Sequence, residues 1–362
     1  MKSVASAFRH SGYRLSFYLG LWVLLVNSTN GLSYAELSST SRSYNLPCEA
    51  SSLAESHDGA MIWFVCQKQS SSSAYSLDLA TTSIIPLETA HGSIWVSAAP
   101  VGNKAVLTAW EPSASRRVSL YEGGRKICDL PVDNVLAWSA DAKKIYFEAG
   151  STIQGDAWDT LGILTLDDMS ITRKKLLALT ESVNVCAADG RLFTGDPIVN
   201  EDGDLEAETV EYGPNLETPR RIPNLLPGNF SATCRYIATE SSFHGPLPWA
   251  ILDVATGGKL MTFDFTGEGR KEEFEFHSWN PKYDELLLRV ADHPLTKQGE
   301  ILPSTLQVFD VERNCVLSSI ENSHGVAEWS SDGERLILAK SKSLTFSPIS
   351  KRAGGFETCP NP

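Results

Sequence analysis

Apolar and polar positions alternate along short segments of this chain, and the segments come in pairs joined by tight polar turns. Val135–Phe147 (VLAWSADAKKIYF) is the clearest pair, with a turn at Asp141 between two apolar strands. Val326–Leu338 (VAEWSSDGERLIL) repeats this pattern, and Phe276–Leu288 (FHSWNPKYDELLL) repeats it less regularly. Period-two alternation on either side of a Gly, Asn or Asp turn predicts β-hairpins. The chain is therefore expected to repeat one hairpin unit many times.

Seven such hairpins can be aligned, with turns at residues 58, 102, 141, 189, 233, 283 and 332. Successive turns lie 39 to 50 residues apart, close to the period of about 40–50 residues that is typical of a propeller blade. Several units carry a second hairpin, at Tyr75–Pro86, Gly162–Leu176, Ala250–Phe263 and Leu306–Ile320. Four strands in each of seven units predict an all-β fold, a seven-bladed β-propeller of four-stranded antiparallel blades.

A propeller needs one strand that closes the ring, because an open ring leaves two blade faces uncovered. The seventh unit has only three evident strands, the last at Leu344–Pro348. The polar segment Ala35–Asn45 is the favoured source of the missing outermost strand, and the C-terminal tail is the alternative. Three tryptophans recur at the end of the first strand of a unit and are expected between blades: Trp138, Trp279 and Trp329. His91-Gly92 and His324-Gly325 recur at the start of that strand and are expected to serve as structural turns.

The segments SADAKKIYF and SSDGERLIL, together with Asp253–Gly257 (DVATG), resemble the WD40-like (PD40-type) repeats of TolB-like propellers, an exported bacterial family. The resemblance covers about residues 46–350 and implies a propeller built from such repeats. Asn184–Arg221 departs from the pattern, because it lacks the Trp-Ser pair. TolB-like proteins also carry an N-terminal α/β domain, for which this chain has no room. The role of TolB itself is therefore not carried over.

The N-terminus has the pattern of an export signal. Three basic residues precede the apolar run Leu15–Val26, which is shorter than the roughly 20 residues of a membrane-spanning helix. Residues 1–35 are predicted to be a signal peptide cut after Ala35, and an uncleaved anchor is the alternative. Residues 36–350 then form the propeller and 351–362 a tail. The protein is expected to be periplasmic or secreted, with membrane contact only through an uncleaved N-terminal segment.

Charge disfavours one class of partner, and the cysteines indicate which disulfides and metal sites to expect. The net charge of −13 disfavours nucleic acid, whose phosphates an acidic chain repels. Seven cysteines leave at least one thiol unpaired. Cys48 and Cys66 flank the first hairpin and are the favoured disulfide, whereas Cys186 and Cys234 are expected to be buried free thiols. The sequence has no CxxC and no Cys/His cluster, so no metal site is predicted.

No catalytic residue and no cofactor is predicted either. The chain lacks G-x-S-x-G, H-E-x-x-H, a P-loop and G-x-G-x-x-G. The acidic stretch Asn200–Glu208 fails as an EF-hand, because the loop positions that need carboxylates are Ile198 and Thr209. The stretch is instead predicted to be a solvated hairpin tip in the fourth blade.

Long loops between the second and third strands of a blade are expected to share one face and to carry binding residues. These loops are Trp110–Arg116, Glu148–Thr160, Glu240–Trp249 and Ala291–Ser304. The candidate ligand- or partner-binding residues are Trp110, Asp156, Trp158, His244, Trp249 and His293. For Trp110 and Trp249, packing between blades is the alternative.

The favoured function is a monomeric scaffold that binds a protein or an envelope ligand at this face. The first alternative is a propeller hydrolase or lyase acting on carbohydrate or a lactone, since such enzymes use convergent carboxylates or a histidine with a metal. Its candidate residues are Asp156, Asp159, Asp292 and His293. A regulatory propeller that docks a separate catalytic subunit is a further alternative, and it would show an apolar patch on one face.

Overall fold

The computed structural model describes residues 42–112, 116–149, 160–177, 183–199, 205–223, 228–240, 249–263, 273–291, 296–297, 300–301, 304–323 and 325–349. All helix or strand assigned within these ranges is β-strand. The described ranges contain no helix long and apolar enough to cross a membrane. The predicted signal peptide and C-terminal tail lie outside the described residues.

The strands are numbered in chain order and fall into successive blades. The strands of blades 1 and 2 are β2 (Ala50–Glu55), β3 (Met61–Lys68), β4 (Ser71–Asp78), β5 (Ile84–Ala90), β6 (Ser93–Ala98), β7 (Lys104–Trp110), β8 (Arg117–Glu122) and β9 (Arg125–Leu130). Those of blades 3 and 4 are β10 (Val135–Trp138), β11 (Lys144–Glu148), β12 (Thr160–Thr165), β13 (Ile171–Lys175), β14 (Val183–Val185), β15 (Leu192–Val199), β16 (Leu205–Tyr212) and β17 (Arg220–Pro223).

The remaining blades follow the same order. The strands of blades 5 and 6 are β18 (Asn229–Phe230), β19 (Tyr236–Glu240), β20 (Trp249–Asp253), β21 (Lys259–Phe263), β22 (Glu273–Trp279), β23 (Glu285–Ala291), β26 (Ser304–Asp310) and β27 (Cys315–Ser323). A two-stranded hairpin, β24 (Thr296–Lys297) with β25 (Glu300–Ile301), is inserted in blade 6. Blade 7 contains β28 (Val326–Trp329), β29 (Arg335–Lys340), β30 (Ser343–Pro348) and, as its outermost strand, β1 (Ser43–Asn45).

Each blade is a four-stranded antiparallel sheet, and in blades 1 to 6 its strands follow one another in sequence. The predicted seven-bladed propeller is confirmed. All seven predicted turns join the first and second strands of a blade. The acidic stretch of blade 4 also lies at a hairpin, because Val199 of β15 pairs with Leu205 of β16. The departure of this blade from the Trp-Ser pattern did not prevent it from forming the fourth sheet.

The N-terminal segment closes the ring, as favoured from the sequence. Ser43 pairs with Thr345 and Asn45 with Ser343 in the antiparallel register of β1 and β30. The backbone N–H of Leu46 adds a hydrogen bond of 2.8 Å to the Lys342 carbonyl oxygen. The first described strand of the chain is thus the outermost strand of its last blade, which covers an edge that would otherwise be open.

The buried hydrophobic residues form seven clusters in the described ranges, one at each boundary between neighbouring blades. Trp138 donates its indole N–H to Ser97 of the preceding blade, at 3.1 Å from the hydroxyl oxygen. Trp279 and Trp329 make the corresponding bonds to backbone carbonyl oxygens of the blades before them. The predicted inter-blade role of these tryptophans is confirmed, since a large side chain fills the boundary and its one polar atom is satisfied.

A Ser-x-Asp box forms the turn that follows Trp138. The Ser139 hydroxyl donates to the Asp141 carboxylate at 2.7 Å, and the Ser139 oxygen accepts the N–H of Lys144. Asp141 in turn accepts the N–H of Lys143 at 3.1 Å. The same bonds recur in blade 1 and in blade 7. Short polar side chains satisfy the turn locally, which is why the motif repeats.

Disulfides connect different blades. Cys48 and Cys66 are bonded, which is the pair favoured from the sequence, and the bond ties the segment after β1 to blade 1. The expectation of free thiols at Cys186 and Cys234 is wrong, because these two residues are bonded with an S–S distance of 2.07 Å. They lie in equivalent turns of blades 4 and 5, and blade packing brings their Cα atoms to 5.7 Å.

Candidate functional site

The strand order places the long loops at one end of the blades. The connections from second to third strand and from one blade to the next lie at this end, here called the loop face, and the Ser-x-Asp turns lie at the other. The four loops expected to carry binding residues do join second and third strands, in blades 2, 3, 5 and 6. Asp156, Trp158, His244 and His293 lie outside the described residues, and so does the side chain of Trp249, the first residue of β20. Their roles stay predictions.

Trp110, the last residue of β7, is the candidate whose side chain is described. It is 39% exposed, so it is not buried between blades. Gly92, in the link between blades 1 and 2, lies directly against it: a Cβ atom there would collide with the Trp110 carbonyl oxygen and approach the indole ring. The Ser72 hydroxyl holds this link by donating to the Gly92 carbonyl oxygen at 2.6 Å. The predicted structural role of the His-Gly turns is supported at Gly92.

Trp95 is a second exposed tryptophan on the same blade, and the sequence analysis missed it. It lies in β6, the innermost strand of blade 2, and it is 52% exposed. Trp95 pairs with Thr108 of β7, and Trp110 follows Thr108 by two residues. Directly paired residues and residues two apart lie on one face of an antiparallel sheet. Both indoles therefore belong to the face of blade 2 that is turned toward blade 3.

A cleft of about 370 Å³ opens at the loop face next to Trp110, whose chain neighbours Ala109 and Glu111 belong to its lining. Its lining residues are Ala109, Glu111, Arg116, Arg117, Val118, Leu130, Pro131, Val132 and Asp133. Val118, Leu130 and Val132 are buried and apolar, whereas Arg116 and Asp133 are exposed. The cleft thus has an apolar floor and a charged rim, the usual build of a site that holds a ligand by its shape and orients it with a few polar groups.

One of the two arginines of the cleft is already engaged. Arg117 forms an ion pair with Glu88 of the neighbouring blade, and the hydrogen bond and charge of Glu88 raise the pKa of the guanidinium. The hydroxyl group of Tyr121 also donates to Glu88, at 3.2 Å, and burial followed by the Glu88 charge raises the pKa of Tyr121. Arg117 is therefore part of the contact between blades 1 and 2.

Arg116 and Asp133 have no such engagement. Neither side chain forms an ion pair with another residue of the described ranges. They approach the cleft from different elements, Arg116 from the start of β8 and Asp133 from the link to blade 3. Glu111 also lines the cleft, so the charged lining residues other than Arg117 are one cation, Arg116, and two anions, Glu111 and Asp133.

A catalytic metal centre would need several ligating side chains close together. The described part of the chain holds no group of three or more His, Cys, Asp or Glu placed to bind a metal ion. The residues named for the hydrolase alternative, Asp156, Asp159, Asp292 and His293, lie outside the described residues.

Comparison with known proteins supports the fold alone. The sequence matches no family model and no curated protein. Among solved structures, the tricorn protease has 13% identity and a TM-score of 0.52 over 88% of this chain and 35% of its own. TolB from Acinetobacter baumannii has 13% identity and a TM-score of 0.40, over 59% of this chain and 53% of its own. An uncharacterised protein of Listeria monocytogenes EGD-e has 12% identity and a TM-score of 0.49, over 85% of this chain and 97% of its own. The chain spans about a third of the tricorn protease, and at 13% identity the likeness concerns the fold alone.

Proposed function

We propose that this protein is an exported β-propeller that binds a partner protein on the loop face of blades 2 and 3 and acts as a scaffold. The observation that carries the proposal is the exposure of Trp95 and Trp110 on one face of blade 2, with a cleft rimmed by Arg116 next to Trp110. Tryptophan and arginine are the residue types most enriched among those that dominate protein–protein binding energy. The acidic net charge, −13, supports a protein over a nucleic acid.

Export is supported by the cysteines. Disulfides persist in the periplasm and outside the cell and are rare in the cytosol. Two disulfides are described in full, Cys48–Cys66 and Cys186–Cys234, and Cys315 is disulfide-bonded too. Together with the signal-like N-terminus, they favour a periplasmic or secreted protein.

Site-specific photo-crosslinking would test the proposal. A photoreactive amino acid replaces Pro112, which is exposed on the loop face between β7 and β8, or Lys143, which is exposed in a turn on the opposite face. We expect one stoichiometric protein adduct in the producing organism from position 112 and none from position 143. Adducts from position 143 alone, or from neither position, would contradict binding at this face. In that case hydrolysis of glycans and lactones should be assayed next.

A further inference from the structure

The boundary between blades 1 and 2 is filled by a tryptophan from a different position than at the boundaries described above. Blades 3, 6 and 7 each end their first strand with a tryptophan whose indole N–H donates to the preceding blade. Blade 2 has Ala98 there, since Ala98 pairs with Ala105 across the turn as Trp329 pairs with Leu336 in blade 7. The buried indole of this boundary is that of Trp63, which comes from β3 of blade 1 and packs in one cluster with Ala98 and Ala105.

The polar atom of this indole is not satisfied by the protein. Trp63 is fully buried, and its N–H has no hydrogen-bond acceptor in the described part of the chain. The hydroxyl group of Ser76 is fully buried as well and also has no partner within the described ranges. Trp63 of β3 and Ser76 of β4 are directly paired, so both side chains lie on the same face of blade 1. Two buried polar groups without a protein partner are therefore neighbours.

One water molecule could satisfy both groups. A buried indole N–H or hydroxyl group that lacks a partner costs free energy, and native proteins satisfy most such groups through the protein or through ordered water. The Cβ atoms of directly paired residues lie about 4.5–5.5 Å apart, so a single water molecule between the side chains can reach both. Water can accept the indole N–H, and it can either accept from a serine hydroxyl or donate to it.

Blade 2 covers Ser76 with a glycine. A Cβ atom at Gly124, in the turn between β8 and β9, would lie 2.8 Å from the Ser76 hydroxyl oxygen. Any other residue at position 124 would therefore crowd this hydroxyl group, whereas glycine leaves room beside it. Ile85 of β5 pairs with Ser76 on its outer side and is 40% exposed. The site thus lies one strand away from solvent, from which water can enter.

We propose that an ordered water molecule is bound between blades 1 and 2 and bridges the indole N–H of Trp63 and the hydroxyl group of Ser76. The water accepts the N–H and shares a second hydrogen bond with the hydroxyl group. It takes the part that protein oxygen atoms of the preceding blade take for Trp138, Trp279 and Trp329.

Urea unfolding of Ser76→Ala distinguishes a hydrated site from a dry one. In a hydrated site the substitution removes one partner of the water and weakens the satisfaction of the Trp63 N–H, so we expect a lower urea midpoint than that of the wild type. In a dry site the substitution removes an unsatisfied hydroxyl group and raises the midpoint. A midpoint that is unchanged or higher would overturn the proposal.

Ser72→Ala is the matched control. Ser72 is buried on the same face of β4 and donates directly to the Gly92 carbonyl oxygen at 2.6 Å, so its removal should lower the midpoint whether or not a water is bound nearby. A crystal structure of the wild type at a resolution that shows ordered water gives the direct test. We expect one water within about 3.2 Å of both Trp63 Nε1 and Ser76 Oγ. A structure with no water between these two atoms would refute the proposal, whatever the stability of the variants.

Discussion

Glu55 of the first blade and Ser331 of the last are joined by a hydrogen bond from the Ser331 backbone N–H to the Glu55 carboxylate. Glu55 directly precedes the Ser-x-Asp turn of blade 1. The residues at the equivalent position of blades 3, 6 and 7 are Trp138, Trp279 and Trp329. Each of these indoles donates to the preceding blade, whereas the carboxylate accepts. The boundary at which the ring closes is therefore held by a group that can change its charge.

Replacing Glu55 should alter how stability depends on pH. Burial, as the largest cause, raises the pKa of Glu55 above its ordinary value. Because the folded pKa lies above the unfolded one, ionisation opposes folding, and this contribution lowers stability as the pH rises through the folded pKa. Glu55→Gln keeps an acceptor oxygen and removes the charge, so we expect higher stability than the wild type near neutral pH and little difference in acid. Urea unfolding at several pH values measures this.

Glu55→Ala is the control for that experiment. It leaves the half-buried Ser331 N–H without the carboxylate, so we expect a loss toward the lower end of the roughly 1–3 kcal/mol that an unsatisfied buried donor costs. A glutamine variant that is destabilised as much as the alanine variant at neutral pH would contradict the argument.

Trp138 should contribute far more to stability than Trp110. Trp138→Ala removes a buried indole between blades 2 and 3 and its bond to Ser97. We expect a loss of about 3–5 kcal/mol in the free energy of unfolding. Trp110→Ala at the exposed site should change it by about 0.5 kcal/mol or less. The free energy of unfolding is measured in urea for both variants. An equal loss in Trp110→Ala and Trp138→Ala would show that Trp110 is a core residue.

Removing the Cys186–Cys234 bond should destabilise the folded ring. The bond closes a loop with a sequence separation of 48 residues, for which the loss of chain entropy predicts about 4 kcal/mol. Cys186→Ala combined with Cys234→Ala is compared with the wild type in guanidinium chloride. Non-reducing peptide mapping of the wild type should also recover the linked pairs Cys48–Cys66 and Cys186–Cys234 and find Cys128 as an alkylated free thiol. If the variant and the wild type unfold at the same guanidinium chloride concentration, blade packing alone holds these two turns together.

Gly92→Ala should disturb the proposed binding surface without changing Trp95, Trp110 or Arg116. The new Cβ would collide with the Trp110 carbonyl oxygen, so the end of β7 must shift, with an expected cost of about 1–3 kcal/mol. We expect the adduct from position 112 to be lost or strongly reduced. Gly102→Ala is the control: Gly102 has a positive φ, so alanine is strained there, but no atom lies within 4 Å of the new Cβ, and that variant should retain the adduct. Retention of the adduct by Gly92→Ala would separate Trp110 from partner binding.

Local patterns were enough to predict most of the fold. Alternation and Ser-x-Asp turns depend on neighbours in sequence, so all seven first turns and the closing role of Ser43–Asn45 could be inferred. The Cys186–Cys234 bond was missed because it depends on the contact between equivalent turns of adjacent blades. A separation close to one repeat was the signal available for it.

The proposed binding surface was harder to predict for a different reason. Alternation assigns Trp95 and Ile94 to opposite faces of β6, but it does not say whether the next blade covers each face. Ile94 is buried and Trp95 is half exposed. How far neighbouring blades cover a strand end is decided by tertiary packing, which the pattern of one strand does not contain.

Closure by β1 also sets the order in which this protein can complete its fold. The Ser43 and Ser343 hydroxyl groups share a hydrogen bond across a separation of 300 residues. Contacts between residues so far apart in sequence require a long loop to close first. This closure costs entropy before the contact can stabilise the fold, so such contacts slow folding. During synthesis, the nascent chain must carry blade 1 with one uncovered face until blade 7 emerges. Any truncation within the last blade therefore leaves a defect in the first.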